Sequence, residues 1–190
     1  MSLKNKTIQT KKIKMGQITD LVEKILKLKT PSNEIFTEAL THRSYINEVK
    51  DLSITHNERL EFLGDAVLEL AVTKYLYDNY PDQNEGTLTS FRAALVKTES
   101  LALEAKKLQL GDYILMSKGE EATGGRLRPY ILANTMEAVI GAIYLTLGFE
   151  EAEKFILEKI CYKIEAIVAE RSDLDAKSRL QELAQEKVKV

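Results

Sequence analysis

Glu58, Glu61, Asp65 and Glu69 recur at i, i+3, i+7 and i+11 inside NERLEFLGDAVLEL, a stretch that is otherwise mostly apolar. In a helix of about 100° per residue the four project on one narrow stripe. Like charges three or four residues apart weaken a helix, and carboxylates turned toward a core resist ionisation unless compensated. Two compensations are open: a Lys or Arg partner, or a hard divalent cation bound by oxygen ligands. A second apolar stretch, ILANTMEAVIGAIYL at 131–145, carries Asn134 and Glu137 at i, i+3 on one face. Two such helices packed face to face can close an oxygen cage, with Glu58, Glu61 and Asp65 from one side and Asn134 and Glu137 from the other. That donor set suits Mg²⁺ or Mn²⁺, which keep several waters and accept phosphate oxygens as further ligands. The expected chemistry is metal-assisted hydrolysis of a phosphodiester. A di-iron carboxylate bundle is a competing class, but neither His42 nor His56 stands three residues after a glutamate.

The helices that must position these groups follow from periodicity. Leu60, Phe62, Leu63, Ala66, Val67, Leu68, Leu70, Ala71 and Val72 wrap most of a circumference, which predicts a helix over about 57–79, buried on nearly all sides and stopped at Tyr80-Pro81. Upstream, Ile18, Leu21, Val22, Ile25 and Leu28 keep helical spacing up to Thr30-Pro31, and Ser32 or Asn33 can cap the next helix. That helix leads into ALTHRSY at 39–45, where His42 and Arg43 read either as a polar core pair or as phosphate contacts. Downstream, Thr87 is a candidate N-cap for a helix carrying Leu88, Phe91, Leu95 and Val96, with Glu85 placed to complement its dipole. Another helix is expected over 98–108. Residues 111–130 are irregular; their glycines match neither a P-loop nor a dinucleotide fingerprint, and Lys118, Arg126 and Arg128 would suit a phosphate backbone. Gly141 permits close approach of a neighbouring helix, Gly148 ends the helix that holds it, and an amphipathic helix is expected over 150–170. With no β alternation and no repeat, the expectation is one all-α domain.

Composition narrows the partners. A net charge of −2 gives no global pull toward a polyanion, so any such contact comes from local patches. A single cysteine, Cys161, rules out an internal disulfide and suits the cytoplasm; its neighbours suggest a buried hydrophobe. Two histidines and one cysteine leave no zinc site, and no apolar run approaches eighteen residues, so no membrane span is expected. Residues 1–17 read as a basic flexible tail without a signal-peptide core.

The segment NERLEFLGDAVL at 57–68 resembles the signature of the ribonuclease III family. ALTHRSYINE at 39–48, EGTLTSFRAALV at 85–96, SKGEEATGGR at 117–126 and ILANTMEAVIGAIY at 131–144 resemble further blocks of that family in its order. The resemblance implies a ribonuclease III endonuclease-domain helical fold over 18–171 and Mg²⁺-dependent cleavage of double-stranded RNA. It carries metal binding onto Glu61, Asp65, Asn134 and Glu137, and places Glu58 and Glu85 with Asp65 and Glu137 as catalytic residues. It gives Glu69 no ligand role. Phe62 matches an aromatic that enters a socket on the partner subunit of a homodimer; Arg92, Lys97, Gly125 and Arg126 resemble the RNA-facing surface. A two-fold dimer cuts both strands of a duplex and leaves short 3′ overhangs; duplex RNA is read by shape, phosphates and 2′-hydroxyls. Many members have aspartate where Asn134 stands. KSRLQELAQEKVKV at 177–190 resembles the opening helix of a double-stranded RNA-binding domain, so 172–190 is expected to be a linker and a remnant of that helix, in a chain either naturally short or truncated. The rival reading is a non-catalytic RNA-binding or assembly factor; Asn134 favours it, and five retained carboxylates oppose it.

Overall fold

The structure, a computed structural model, describes residues 15–29, 33–49 and 54–169. Ten α-helices are named in these residues: α1 (Met15–Asp20), α2 (Glu34–Ala39), α3 (Arg43–Val49), α4 (Glu58–Asn79), α5 (Glu85–Val96), α6 (Thr98–Lys107), α7 (Leu110–Tyr113), α8 (Lys118–Ala122), α9 (Pro129–Leu147) and α10 (Phe149–Lys159). No strand forms among the described residues; one isolated parallel bridge joins Thr41 to Leu115. The fold is all-α, as expected. Residues 1–14 of the tail expected over 1–17, the Thr30-Pro31 stop and residues 170–190 lie outside the described residues, and the last three residues of that tail belong to α1.

The core gathers around α9. Pro129 opens this helix at a position that needs no intrahelical donor, and Gly148 ends it at φ +87. Ile131, Leu132, Met136, Val139, Ile140 and Ile143 are all buried, because α4, α6 and α10 pack around the helix. Within its 19 residues an 18-residue window reaches a mean hydropathy of 1.4, the length and composition of a membrane span. Burial within the chain accounts for that apolarity, as it does for any helix enclosed by its neighbours.

α4 crosses α9 at two glycines. A Cβ placed on Gly64 would fall 1.7 Å from the Glu137 carbonyl oxygen, and one on Gly141 would fall 2.4 Å from that of Leu60. The backbones therefore touch, with no room for a side chain on either helix. α4 turns Leu60, Val67, Leu68, Ala71, Val72 and Leu76 into the core. The expectation that it is buried on nearly all sides is corrected on one flank, where Phe62 is 81%, Leu70 57% and Tyr77 74% exposed.

Other boundaries shift for local reasons. α1 continues as a π-helical turn, Leu21–Ile25, rather than as one α-helix to Leu28. The Asn33 side chain makes no cap bond and instead donates from Nδ2 to Thr19 Oγ1 at 2.8 Å, tying α1 to α2. α5 is capped by Asn84 rather than Thr87, with Asn84 Oδ1 accepting from Thr87 N at 2.9 Å. The helix expected over 150–170 breaks at Ile160, where α10 gives way to a 3-10 turn, Cys161–Lys163, before helix resumes over 164–169. At that break Lys163 Nζ reaches the buried Glu104 carboxylate at 3.1 Å and Tyr162 Oη donates to the same group at 3.1 Å. Cys161 is buried, and burial pushes its thiol up to about 12, consistent with an inert hydrophobe.

Candidate active site

The glycine crossing sets the site. Glu61 and Asp65 flank Gly64 on α4, while Asn134 and Glu137 lie within two turns before Gly141 on α9. With the two backbones in contact, these four polar groups are brought together at the edge of an apolar core. Burial, then Asp65 and Glu61, push the Glu137 carboxyl up to about 8. Glu61 is also raised, first by burial and then by Glu58, with Asp65 adding to the effect; a hydrogen bond with the Asn134 side chain opposes it. Burial and neighbouring negative charge thus hold the protons of Glu61 and Glu137 on, which is the signature of uncompensated like charge in a poorly solvated place.

The acidic stripe divides by its partners. At one end Glu58 Oε1 lies 3.0 Å from Arg43 Nη1, with His56 Nδ1 3.8 Å from Oε2. At the other end Glu69 Oε2 lies 3.0 Å from Arg92 Nε, and Arg92 Nη1 also donates to Thr73 Oγ1 at 2.9 Å. Glu69 is thereby a salt-bridge residue. Among the described residues no Lys or Arg is paired with Glu61, Asp65 or Glu137.

These side chains do not already form a tight cage: among the described residues no three His, Cys, Asp or Glu groups converge on a single point. An open all-oxygen set fits a hard divalent cation, which keeps waters and takes substrate oxygens to complete its shell. No thiolate or imidazole belongs to the set, since Cys161 is buried elsewhere and His42 Nδ1 is engaged with Ser44 Oγ at 2.8 Å.

Glu85 is not gathered with the others in a single chain. It accepts from Thr89 Oγ1 at 2.9 Å and lines a groove of about 470 Å³ with Thr73, Tyr77, Leu88 and Arg92. Thr73 and Tyr77 stand eight and twelve residues beyond Asp65 on α4, about 12–18 Å of helix rise. Phe62 points to solvent on the flank beside the acidic stripe.

The residues expected to face RNA separate as well. Lys97 is exposed. Arg126, by contrast, donates from Nη1 to the carbonyls of Gly111 and Ile114, both at 2.8 Å, and from Nε to Glu121 at 2.8 Å. Arg128 similarly holds Glu120 and Thr123. Gly125 is buried because a Cβ there would meet the Glu120 carbonyl oxygen at 2.7 Å. These loop residues brace the loop from inside, and a basic residue type alone does not reveal such a partner. Sequence reasoning also left Arg43 open and passed over Gly64. A glycine in the middle of a strong helix former, beside a carboxylate and matched by Gly141, was the available signal for the second.

A family model described as ribonuclease-III-like matches residues 32–164. Ribonuclease 3 of Clostridium perfringens is 51% identical over 164 residues, covering 86% of this chain and 68% of that protein. Ribonuclease 3 of Clostridium tetani is 47% identical over 172 residues, covering 90% and 72%. A solved structure of the ribonuclease III nuclease domain from Campylobacter jejuni, described for flexibility in a region involved in dimer formation, has a TM-score of 0.67 and 43% identity, covering 74% of this chain and 96% of that one. A second structure of that domain gives 0.67 and 45%, covering 73% and 90%. The chain belongs to the ribonuclease-III-like family, and its enzyme class is that of ribonuclease III. It spans roughly two thirds of the length of the relatives it matches.

Proposed function

We propose that the chain is a Mg²⁺-dependent endoribonuclease that cleaves double-stranded RNA to 5′-phosphate and 3′-hydroxyl ends, acting in the cytoplasm on ribosomal and other structured RNA precursors. The observation that carries this reading is Glu137, a half-buried carboxylate beside Asp65 and Glu61 with no Lys or Arg partner among the described residues. Folding gains nothing from such a group, so its worth lies in what it can bind. Glu61, Asp65, Glu137 and the Asn134 side-chain oxygen are the groups that would hold the ion, and Mn²⁺ can substitute. Bound there, a divalent cation activates water and offsets the negative charge that builds on the phosphodiester. The chain's own contribution is position: the α4–α9 crossing fixes Asp65 and Glu137 against each other, and Glu58 stands at the rim.

The active form in this reading is a homodimer. Phe62, Ala66, Leu70 and Tyr77 lie on one exposed flank of α4, directly beside the acidic stripe. An antiparallel α4–α4 pairing about Leu70 would turn each chain's Phe62 toward the other's α4–α5 groove and bring Glu85 near the opposite acid cluster. That arrangement accounts for Glu85 standing apart in one chain. Two sites related by a two-fold axis would then cut both strands and leave short 3′ overhangs. Arg92 and Lys97 are the proposed phosphate contacts, and Gly125 and Arg126 shape the loop that faces the duplex. Residues 18–171 are the catalytic domain in this reading.

Incubating a long duplex RNA with the protein and Mg²⁺ at low salt tests the reading against the assembly-factor alternative. The parent protein should produce short fragments, and Asp65→Ala should leave the duplex intact. A duplex uncut by the parent would favour a binding or assembly role.

A further inference from the structure

We propose that Arg43 is a phosphate-binding residue at the rim of the acidic site, where it grips a backbone phosphodiester of the RNA strand beside the bond to be cut; this rests on the nuclease reading above. Four arginines stand near the site and its loop, and three of them share their donors between a carboxylate and at least one other protein oxygen. Arg92 is held by Glu69 and Thr73, Arg126 by Glu121 and two backbone carbonyls, and Arg128 by Glu120 and Thr123. Arg43 has one defined contact, Glu58 at 3.0 Å, and its side chain is 70% exposed. A guanidinium has five N–H donors in a planar fork, so most of this one faces solvent.

The anchor beneath it is rigid. His42 N donates to the Leu115 carbonyl at 2.9 Å, and Asn57 N donates to the Thr41 carbonyl at 2.9 Å. Thr41 and Asn57 are buried, and Asn57 Nδ2 also donates to the Ala39 carbonyl at 3.3 Å. The starts of α3 and α4 are thereby clamped together, which holds Arg43 against Glu58, one turn before Glu61 on α4. An ion pair this exposed contributes at most about 1 kcal/mol, so fold stability does not account for the placement.

Function does. A strand that reaches Glu58, Glu61, Asp65 and Glu137 is a polyanion approaching an acidic cluster, and a cation at its rim lowers that barrier. The fork matches a phosphate in two-point geometry, which an ammonium cannot do. Glu58 holds the fork in register until the phosphate arrives.

Steady-state cleavage of a duplex over a series of KCl concentrations tests this, using the full chain and the variants Arg43→Ala and Arg43→Lys. Arg43→Ala should raise KM about tenfold, the worth of a charge-assisted hydrogen bond. It should also flatten the dependence of log(kcat/KM) on log salt by about one unit, as expected for one lost phosphate contact. Arg43→Lys should retain the salt dependence and recover only part of the KM. A loss confined to kcat with unchanged salt dependence would make Arg43 a mere orienter of Glu58, and no effect would make it a solvated ion pair; either result overturns the proposal. Circular dichroism of each variant separates these outcomes from misfolding. Cleavage by the parent in the same series shows that the nuclease reading stands whatever Arg43 does.

Discussion

Gly64 and Gly141 face each other where α4 meets α9, each occupying the space that a side chain on the other helix would need. Everything placed at the site follows from that contact, because it lets Glu61 and Asp65 approach Asn134 and Glu137. Gly64→Ala puts a methyl group onto the Glu137 carbonyl oxygen, and backbone cannot rotate away as a side chain can. Overpacking of this kind costs about 1–3 kcal/mol and sometimes more. A clear drop in melting temperature is expected, together with loss of cleavage in whatever fraction remains folded. A variant as stable and as active as the parent would show that the helices are not in contact there.

The pH dependence follows from Glu137. Its folded carboxyl holds a proton up to about 8, against an ordinary value of 4.5. The folded chain therefore binds more protons than the unfolded chain between those values, so the stabilising contribution is complete below pH 4.5 and is lost as pH rises through about 8. Without divalent metal, the melting temperature should fall over that range, and Glu137→Gln should remove most of the slope. Because metal displaces the proton, apparent Mg²⁺ affinity should weaken by about tenfold per pH unit below 8. Calorimetry in buffers of different ionisation enthalpy would register the released proton, and pH-independent binding would contradict the assignment.

Asn134 offers an oxygen without a charge. Asn134→Asp should lower the Mg²⁺ concentration for half-maximal cleavage by several-fold, since a full carboxylate binds a hard cation more tightly than an amide. An unchanged requirement would remove residue 134 from the ligand set.

Phe62 is 81% exposed in the single chain. Burying an aromatic ring is worth about 1.5–3 kcal/mol, and a two-fold interface uses it twice. Phe62→Ala should therefore weaken the dimer on the order of a hundredfold or more, with the helical content unchanged. Sedimentation at low concentration measures this, and an unaltered association would return Phe62 to the surface.

The all-α fold was legible because apolar residues at helical spacing leave little alternative, and because Pro129, Gly148 and Tyr80-Pro81 mark helix ends by backbone chemistry alone. The acid cluster was legible for a related reason, since carboxylates on apolar helices require an explanation. What periodicity could not supply was the identity of each partner. It could not separate Glu58 and Glu69, which have arginines, from Glu61 and Asp65, which have none among the described residues. Apolar spacing counted Phe62 and Leu70 as core because an apolar residue at helical spacing does not reveal whether its own chain covers it, and here both are exposed. The break at Ile160 has neither Pro nor Gly to announce it; it coincides with the Glu104–Lys163 contact, 59 residues apart in sequence. Asn84 and Thr87 are both good caps, and only the geometry of Asn84 Oδ1 chooses between them.

The central claim is that Glu61, Asp65, Asn134 and Glu137 form one divalent-cation site. Soaking crystals in Mn²⁺ and recording anomalous scattering measures this most directly. The account predicts a peak between α4 and α9, bounded by those four side chains and lost in Glu137→Gln. A peak at another place, or none at millimolar Mn²⁺ above pH 8, would contradict it.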